Sequence, residues 1–202
     1  MARGSETISI ALTTTANYEA FQASSGVAAI VQLNPREMAT IHINLDAVGT
    51  TDNFEWLLLA GTKMTTGGDW DAVTDASNLD LETAVHPTTT DDEMVGIYVV
   101  ATNGGEAGEF RLITDSTASD DGITVDHAFS GTPSAGELYD LYRFSVWDAG
   151  IIVPLTTVTV NNPQNVITSI MGPDFFVVLG RHAGSTDAQL AYMTYQKDGV
   201  SV

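Results

Sequence analysis

Strict alternation of polar and apolar residues is the feature that most constrains how this chain folds. In residues 38–45, the set Met38, Thr40, His42 and Asn44 alternates with the set Ala39, Ile41, Ile43 and Leu45. Successive side chains of a β-strand point to opposite faces, so a period of two indicates a strand with one buried face. This segment is therefore predicted to be a half-buried strand. Residues 189–195 are predicted to be a further strand, in which Leu190, Tyr192 and Thr194 lie on the face opposite to Ala191, Met193 and Tyr195.

Further short runs with strand character are separated by turn sequences. We predict strands over residues 27–33, 54–60, 94–101, 109–114, 123–125, 139–147, 156–160, 166–171 and 175–179. Thr, Val and Ile are frequent in these runs, and Gly, Asn, Asp and Pro lie between them. The one stretch with helical character, residues 18–24, is short. The chain is predicted to be all-β, an antiparallel β-sandwich of jelly-roll or immunoglobulin-like type.

The middle of the chain has a strand and turn cycle of its own. A polar linker covers residues 86–92, and residues 91–147 are predicted to form a small β-barrel inserted in a loop of the sandwich. Residues 1–87 and 150–202 would then form the outer β-sandwich domain, because insertions are tolerated best at exposed loops. The alternative is a single larger sandwich in which the middle strands are simply further strands.

The charge of the chain is strongly unbalanced. There are 26 Asp and Glu residues against 7 Lys and Arg, which gives a net charge of −19 at pH 7. Such a surface repels nucleic acid and anionic lipid, and no apolar run approaches the ~20 residues that span a bilayer, so we expect neither partner. Concentrated salt screens this repulsion, because the Debye length falls to ~3 Å at 1 M salt. The composition therefore favours a halophilic protein. The alternatives are an ordinary acidic protein and one that meets a basic partner.

Few residues stand out as candidates for chemistry. Asp69, Asp71 and Asp75 lie in a predicted Gly-rich loop and could offer oxygen ligands to Ca²⁺ or Mg²⁺, but they lack EF-hand spacing, so a solvated loop without a cofactor is favoured. Trp70 lies between two of these aspartates and is predicted to be an exposed contact for a partner or a sugar. Arg36 and Arg181 are further candidate contacts.

No catalytic motif is present in the sequence. The chain has no cysteine and no Gly-X-Ser-X-Gly, Walker A or Gly-X-Gly-X-X-Gly pattern. These patterns position nucleophiles, phosphates and dinucleotides in many enzymes. We therefore expect a protein that is not an enzyme.

Motifs in the middle of the chain resemble a β module that recurs in virion proteins of tailed viruses. They are Val95-Gly96, residues 102–114, Ile123-Thr124-Val125-Asp126, Pro133 and residues 136–139. The module has a Gly-rich hairpin, an Arg-X-Ile strand, a Thr-Val-Asp strand and a Pro-X-X-Gly turn. In this chain, Ile113 and Val125 would fill its small core.

Motifs in the two flanks resemble a family of small structural proteins of tailed phages. They are residues 33–37, Thr51-Asp52-Asn53, Asp69-Trp70-Asp71, residues 175–181, Ser185-Thr186-Asp187 and residues 195–202. The family usually has Gly where this chain has Arg36, and Arg where it has Gln196. Together the two resemblances cover about half of the chain.

The resemblances imply a structural virion protein, with a capsid decoration or auxiliary head protein as the leading interpretation. Such a subunit would assemble in the host cytoplasm, lie on the capsid exterior, bind the major capsid protein or other virion proteins, and form a homo-oligomer. With the acidic composition, the implied source is a tailed virus of a halophilic archaeon. The alternatives are a tail or tail-tip component and a carbohydrate-binding adhesin module.

Overall fold

The chain is all-β in the part that the structure describes. A computed structural model describes residues 5–12, 17–22, 30–46, 53–64, 67–83, 85, 90–119, 121–152, 164–182 and 189–199. These ranges contain fourteen strands and no helix, which confirms the predicted all-β sandwich class. The strands are β1 Ser5–Leu12, β2 Glu19–Ala20, β3 Val31–Gln32, β4 Glu37–Asp46, β5 Phe54–Lys63, β6 Gly68–Val73, β7 Asn78–Leu81, β8 Tyr98–Ala101, β9 Phe110–Ser116, β10 Gly122–Val125, β11 Leu138–Ile152, β12 Gln164–Met171, β13 Phe175–His182 and β14 Gln189–Gly199.

The chain divides into two compact units. The first comprises Met1–Gly61 with Ser145–Val202, and the second is Thr62–Phe144. The predicted inserted barrel covered residues 91–147, whereas the second unit also contains β6 and β7. These two strands belong there because β7 pairs with β10 and β6 pairs with β11.

The first unit is an antiparallel sandwich. One sheet has the order β1-β14-β4-β12. In the other sheet β13 pairs with β2 and β3 on one side and with β5 on the other, and β5 is followed by β11. The core between the sheets is formed from buried apolar side chains of both, among them Ile41, Ile43, Phe54, Trp56 and Phe176.

The alternation predicted for β4 and β14 is confirmed by burial. Ala39, Ile41, Ile43 and Leu45 are fully buried, and the polar set between them is partly or fully exposed. In β14, Ala191 and Met193 are buried in the same core. A fully buried Ile or Leu contributes about 1.5–3 kcal/mol, so this alternation fixes which face of the sheet packs inward.

The second unit is a small closed ring of strands. The pairings run β6-β7-β10-β9-β8, and β11 pairs with both β8 and β6 through residues 138–142, which closes the barrel. Its interior holds thirteen buried residues, including the Ile113 and Val125 that the module resemblance placed there. The hairpin between β8 and β9 turns on Gly104 and Gly108, both with positive φ, as the Gly-rich motif requires.

Two local predictions are wrong, and others fall outside the described residues. Residues 19–20 form β2 rather than part of a helix, because they pair with Leu179 and Gly180 of β13. Residues 68–71 belong to β6 rather than to a loop. The predicted strand at 156–160, residues 27–29 of the run at 27–33 and residues 86–89 of the linker lie outside the described residues.

Candidate functional site

Trp70, predicted as an exposed contact, is a core residue of the barrel. Only 1% of it is exposed, and its ring lies 4.4 Å from that of Tyr139 and 6.3 Å from that of Phe129, centroid to centroid. The Asp-Trp-Asp triplet is a piece of strand β6, so alternation turns the indole inward and leaves Asp71 outside. This prediction was wrong because three residues are too few to show a period.

The three candidate aspartates serve different turns and strands. The Asp71 carboxylate accepts hydrogen bonds from the Thr83 backbone N–H and hydroxyl, at 3.0 and 3.2 Å. The Asp75 carboxylate accepts from the backbone N–H groups of Ser77 and Asn78, and the Ser77 bond is the main cause that lowers the Asp75 pKa. Asp69 instead lines a cleft of about 340 Å³. Among the described residues, no three His, Asp or Glu side chains are placed to hold a metal ion, so the cation site stays a prediction without geometric support.

Arg36 occupies a turn position that favours glycine. Its φ is +71°, and the Glu37 N–H donates to the Asn34 carbonyl at 2.9 Å, which closes a four-residue turn with Pro35 at its second position. A positive φ at the third position is typical of a type II turn, where Gly is usual. The exposed Arg36 side chain is therefore attached to strained backbone, and the expected contact with a partner stays a prediction.

Arg181, the other candidate contact, is engaged within the first unit. Its Nε donates to Glu55 Oε2 at 2.6 Å, its guanidinium lies 4.4 Å from the centre of the Tyr18 ring, and the Tyr18 hydroxyl donates to the same Glu55 oxygen at 3.1 Å. The hydrogen bond from Arg181 is the largest cause that lowers the Glu55 pKa. The three side chains form one network at the surface of the sheet.

Arg111, the arginine of the Arg-X-Ile motif, is a buried residue with several hydrogen-bond partners. It is 3% exposed, and its guanidinium donates to the carbonyls of Phe110 and Ala128 and to Glu109 Oε2 at 2.5 Å. Glu109 also accepts from the Ser130 N–H at 2.9 Å, so the pair ties β9 to the segment after β10. A buried arginine needs this full set of partners. The motif residue therefore has a structural role inside the barrel.

A surface that the sequence did not reveal lies where β11 and β12 run side by side in the first unit. The Trp147 indole N–H donates to the Ser169 carbonyl at 3.2 Å, and Thr168 Oγ1 donates to Asp148 Oδ2 at 2.6 Å. Through these two contacts, residues 147–148 of β11 lie beside residues 168–169 of β12. We call the exposed residues along this corner the corner strip: Trp147, Ala149 and Ile151 of β11, and Ile167, Ser169 and Met171 of β12.

The corner strip is apolar and carries no charge. Trp147 is 51% exposed, and Ile151, Ile167 and Met171 are each 58–64% exposed. Sheet edges on a soluble protein are normally protected by charged side chains, yet β12, with the sequence QNVITSIM, has none in a chain with 26 acids. The absence of charged residues from β12 is the sequence signal that could have indicated the corner strip.

A cleft of about 310 Å³ lies beside the corner strip. Its lining includes Ala149, Gly150 and Ile151 of β11, with Leu57 and Trp56 of β5. A side chain at position 150 would stand 2.8 Å from the Trp56 indole nitrogen, so only glycine fits there. The Trp56 indole N–H is buried and has no hydrogen-bond partner among the described residues.

Comparisons with known proteins add little. No protein-family model and no curated protein matches the chain. Among solved structures, VP17, a capsid protein of bacteriophage P23-77, is similar at 13% identity over 98% of this chain and 97% of that chain, with a TM-score of 0.22. At that TM-score the similarity carries no argument about fold or function. Across the described residues, no helix is long and apolar enough to span a membrane.

Proposed function

We propose that the chain is a non-enzymatic structural subunit of a tailed-virus particle, carried on the outside of the head as a decoration or auxiliary protein. The observation that carries this proposal is the corner strip, because large exposed apolar surfaces on soluble proteins mark sites of protein association. The virion context rests on the motif resemblances, and Ile113 and Val125 lie in the barrel core, where the resemblance to the module places them. Assembly of the subunit on the particle depends on this strip.

The size of the strip indicates what kind of contact it supports. Burying a large apolar side chain completely contributes about 1.5–3 kcal/mol. Trp147, Ile151, Ile167 and Met171 still expose 51–64% of their surface, so covering them would contribute about 3.5–7 kcal/mol. Association itself costs about 4–15 kcal/mol. One strip therefore gives weak binding, which suits a subunit held by several contacts on a repeating shell.

The charge of the chain supports a role in concentrated salt. Among the residues whose side chains the structure describes, all Asp and Glu except Glu106 and Asp121 are exposed or partly exposed, and several accept hydrogen bonds from backbone N–H groups of turns, as Glu37 does from Asn34 and Glu137 from Ser134. Both arrangements keep negative charge at the surface, where dilute salt leaves it unscreened. We expect the melting temperature to rise between about 50 mM and 2 M salt. Equal melting temperatures at both concentrations would contradict adaptation to high salt.

The test of the virion role is the location of the subunit in purified particles. We expect low-resolution images to show it at regularly repeated positions outside the head. Adding recombinant protein to particles that lack it should restore this density, whereas the Ile167→Asp variant should not bind. Val95→Asp is the matched control, because Val95 is 44% exposed but lies in the second unit. Particles without the protein would refute the proposal, and density along the tail alone would replace decoration with a tail component.

A further inference from the structure

We infer that the partner seated on the corner strip is a second copy of this chain, related by a twofold axis, with Trp147 of each copy entering the cleft beside the strip of the other. The inference rests on the proposed function in one respect, namely that the strip is an assembly surface. It goes further by naming the occupant, the symmetry and the side chain that is inserted.

Trp147 has the properties of an anchor residue. Half of its surface is exposed, yet its indole N–H is fixed by the Ser169 carbonyl at 3.2 Å, so the ring is already oriented before any partner arrives. Rigid tryptophans that fill a pocket on the partner are enriched among the residues that dominate binding. A preoriented ring also loses little conformational freedom on association.

The cleft is a suitable receptor for that ring. Its volume of about 310 Å³ is at the lower limit of small-molecule pockets, which suits one aromatic side chain rather than a larger ligand. Leu57, Ala149 and Ile151 supply apolar lining, and the Trp56 ring packs directly against Gly150, where a side chain would clash with it.

Twofold symmetry follows from the position of anchor and cleft on one strand. Trp147, Ala149 and Ile151 alternate along β11, so their side chains point to the same face. A twofold axis through Ala149 would place Trp147 of one copy opposite Ile151 of the other, and the reverse contact would form at the same time. Both strips and both clefts would be covered in one contact, whereas a heterologous contact would leave one of each exposed.

Electrostatics permits this contact in spite of the net charge. The six strip residues are uncharged, and the one carboxylate of the cleft lining, Glu55, is paired with Arg181. Asp148, inside the corner, accepts hydrogen bonds from Thr168 and from the Ala149 N–H. Two copies with a charge of −19 still repel each other over longer distances, so salt should strengthen the dimer.

Sedimentation of the purified full chain tests the inference. We expect a monomer–dimer equilibrium, measured up to about 1 mM protein, that shifts at least tenfold towards dimer between about 50 mM and 2 M salt. Trp147→Ala and Ile167→Asp should each weaken the dimer at least tenfold, and Val95→Asp should leave it unchanged. Circular dichroism of each variant verifies that the fold is retained. A dimer that persists in both strip variants would overturn the inference.

A crosslinking experiment tests the position of the axis. The chain has no cysteine, so the single substitution Ala149→Cys places one thiol per copy next to the proposed axis. We expect it to form a disulfide-linked dimer under mild oxidation, because two Cα atoms near a twofold axis can approach within the 4.4–6.8 Å that a disulfide needs. Val95→Cys is the matched control and should form no disulfide-linked dimer, because position 95 lies away from the strip. Equal crosslinking of both variants, or none at position 149 in a solution shown to contain dimers, would overturn the arrangement.

The outcomes separate this inference from the proposed function. A chain that is monomeric at every salt and protein concentration, but whose binding to particles still depends on Ile167, would overturn the twofold partner and leave the virion role standing. Strip variants that lose the dimer but bind particles as the unmodified chain does would overturn the strip as the particle contact and leave the dimer standing.

Discussion

Replacing Trp70 by alanine is expected to destabilise the barrel by about 3–5 kcal/mol. The indole is 1% exposed and contacts the rings of Tyr139 and Phe129. A buried aromatic side chain removes about 150–250 Å² from water, which at about 25 cal/mol per Å² gives an upper value of about 4–6 kcal/mol. An exposed contact, as the sequence predicted, would change stability by less than about 0.5 kcal/mol.

The Trp70→Phe variant makes the test sharper. Phenylalanine keeps one ring in the core and removes an indole N–H that has no hydrogen-bond partner among the described residues. A buried unsatisfied donor costs about 1–3 kcal/mol, which offsets part of the lost packing, so we expect a net loss of less than about 1.5 kcal/mol. Urea unfolding followed by circular dichroism measures both variants, with two transitions fitted because the chain has two compact units. An alanine variant as stable as the unmodified protein would refute the burial argument.

Three further substitutions test local features of the fold. Arg111→Ala leaves the partly buried Glu109 carboxylate, whose side chain is 13% exposed, without its cation, so it should cost up to about 3–5 kcal/mol in urea unfolding, and a loss below about 1 kcal/mol would contradict the role assigned to the ion pair. Arg36→Gly should be neutral or stabilise the protein by up to about 1 kcal/mol, because glycine adopts the φ of +71° without strain; a clear loss in thermal unfolding would indicate that the side chain has a contact. Hydrogen bonds lower the Asp75 pKa below its ordinary 3.8, so its stabilising effect is complete above that pH and is lost as the pH falls further. The stability difference between the unmodified chain and Asp75→Asn should therefore shrink on acidification, and a constant difference from pH 7 to pH 2.5 would argue against the turn contact.

The sequence predicts those strands best whose burial repeats over many residues. β4 has four buried positions in strict alternation, and the predicted strand at 54–60 lies within β5, where Phe54, Trp56 and Leu58–Ala60 are buried. β6 was missed because Gly and Asp around Trp70 are typical of loops, and its strand character comes from pairing with β7 and β11. β2 was missed for a similar reason, since two residues become a strand only where β13 offers a partner. Tertiary pairing decided both cases, and no local propensity encodes it.

The corner strip illustrates a harder limit of sequence analysis. The predicted strand at 139–147 ends at Trp147, yet β11 continues to Ile152, and the last part of the strand carries half of the strip. The other half comes from β12, and the two rows become one surface only because Trp147 contacts Ser169 while Asp148 contacts Thr168. Taken alone, the exposed residues of β11 or of β12 form a common pattern for an edge strand, with a few apolar side chains. What the sequence does contain is the absence of charge from β12, and in a chain with 26 acids that absence is informative, because a solvent-exposed edge here would be expected to carry at least one of them. In an acidic protein, uncharged stretches of strand are thus better indicators of an interface than the charged residues around them.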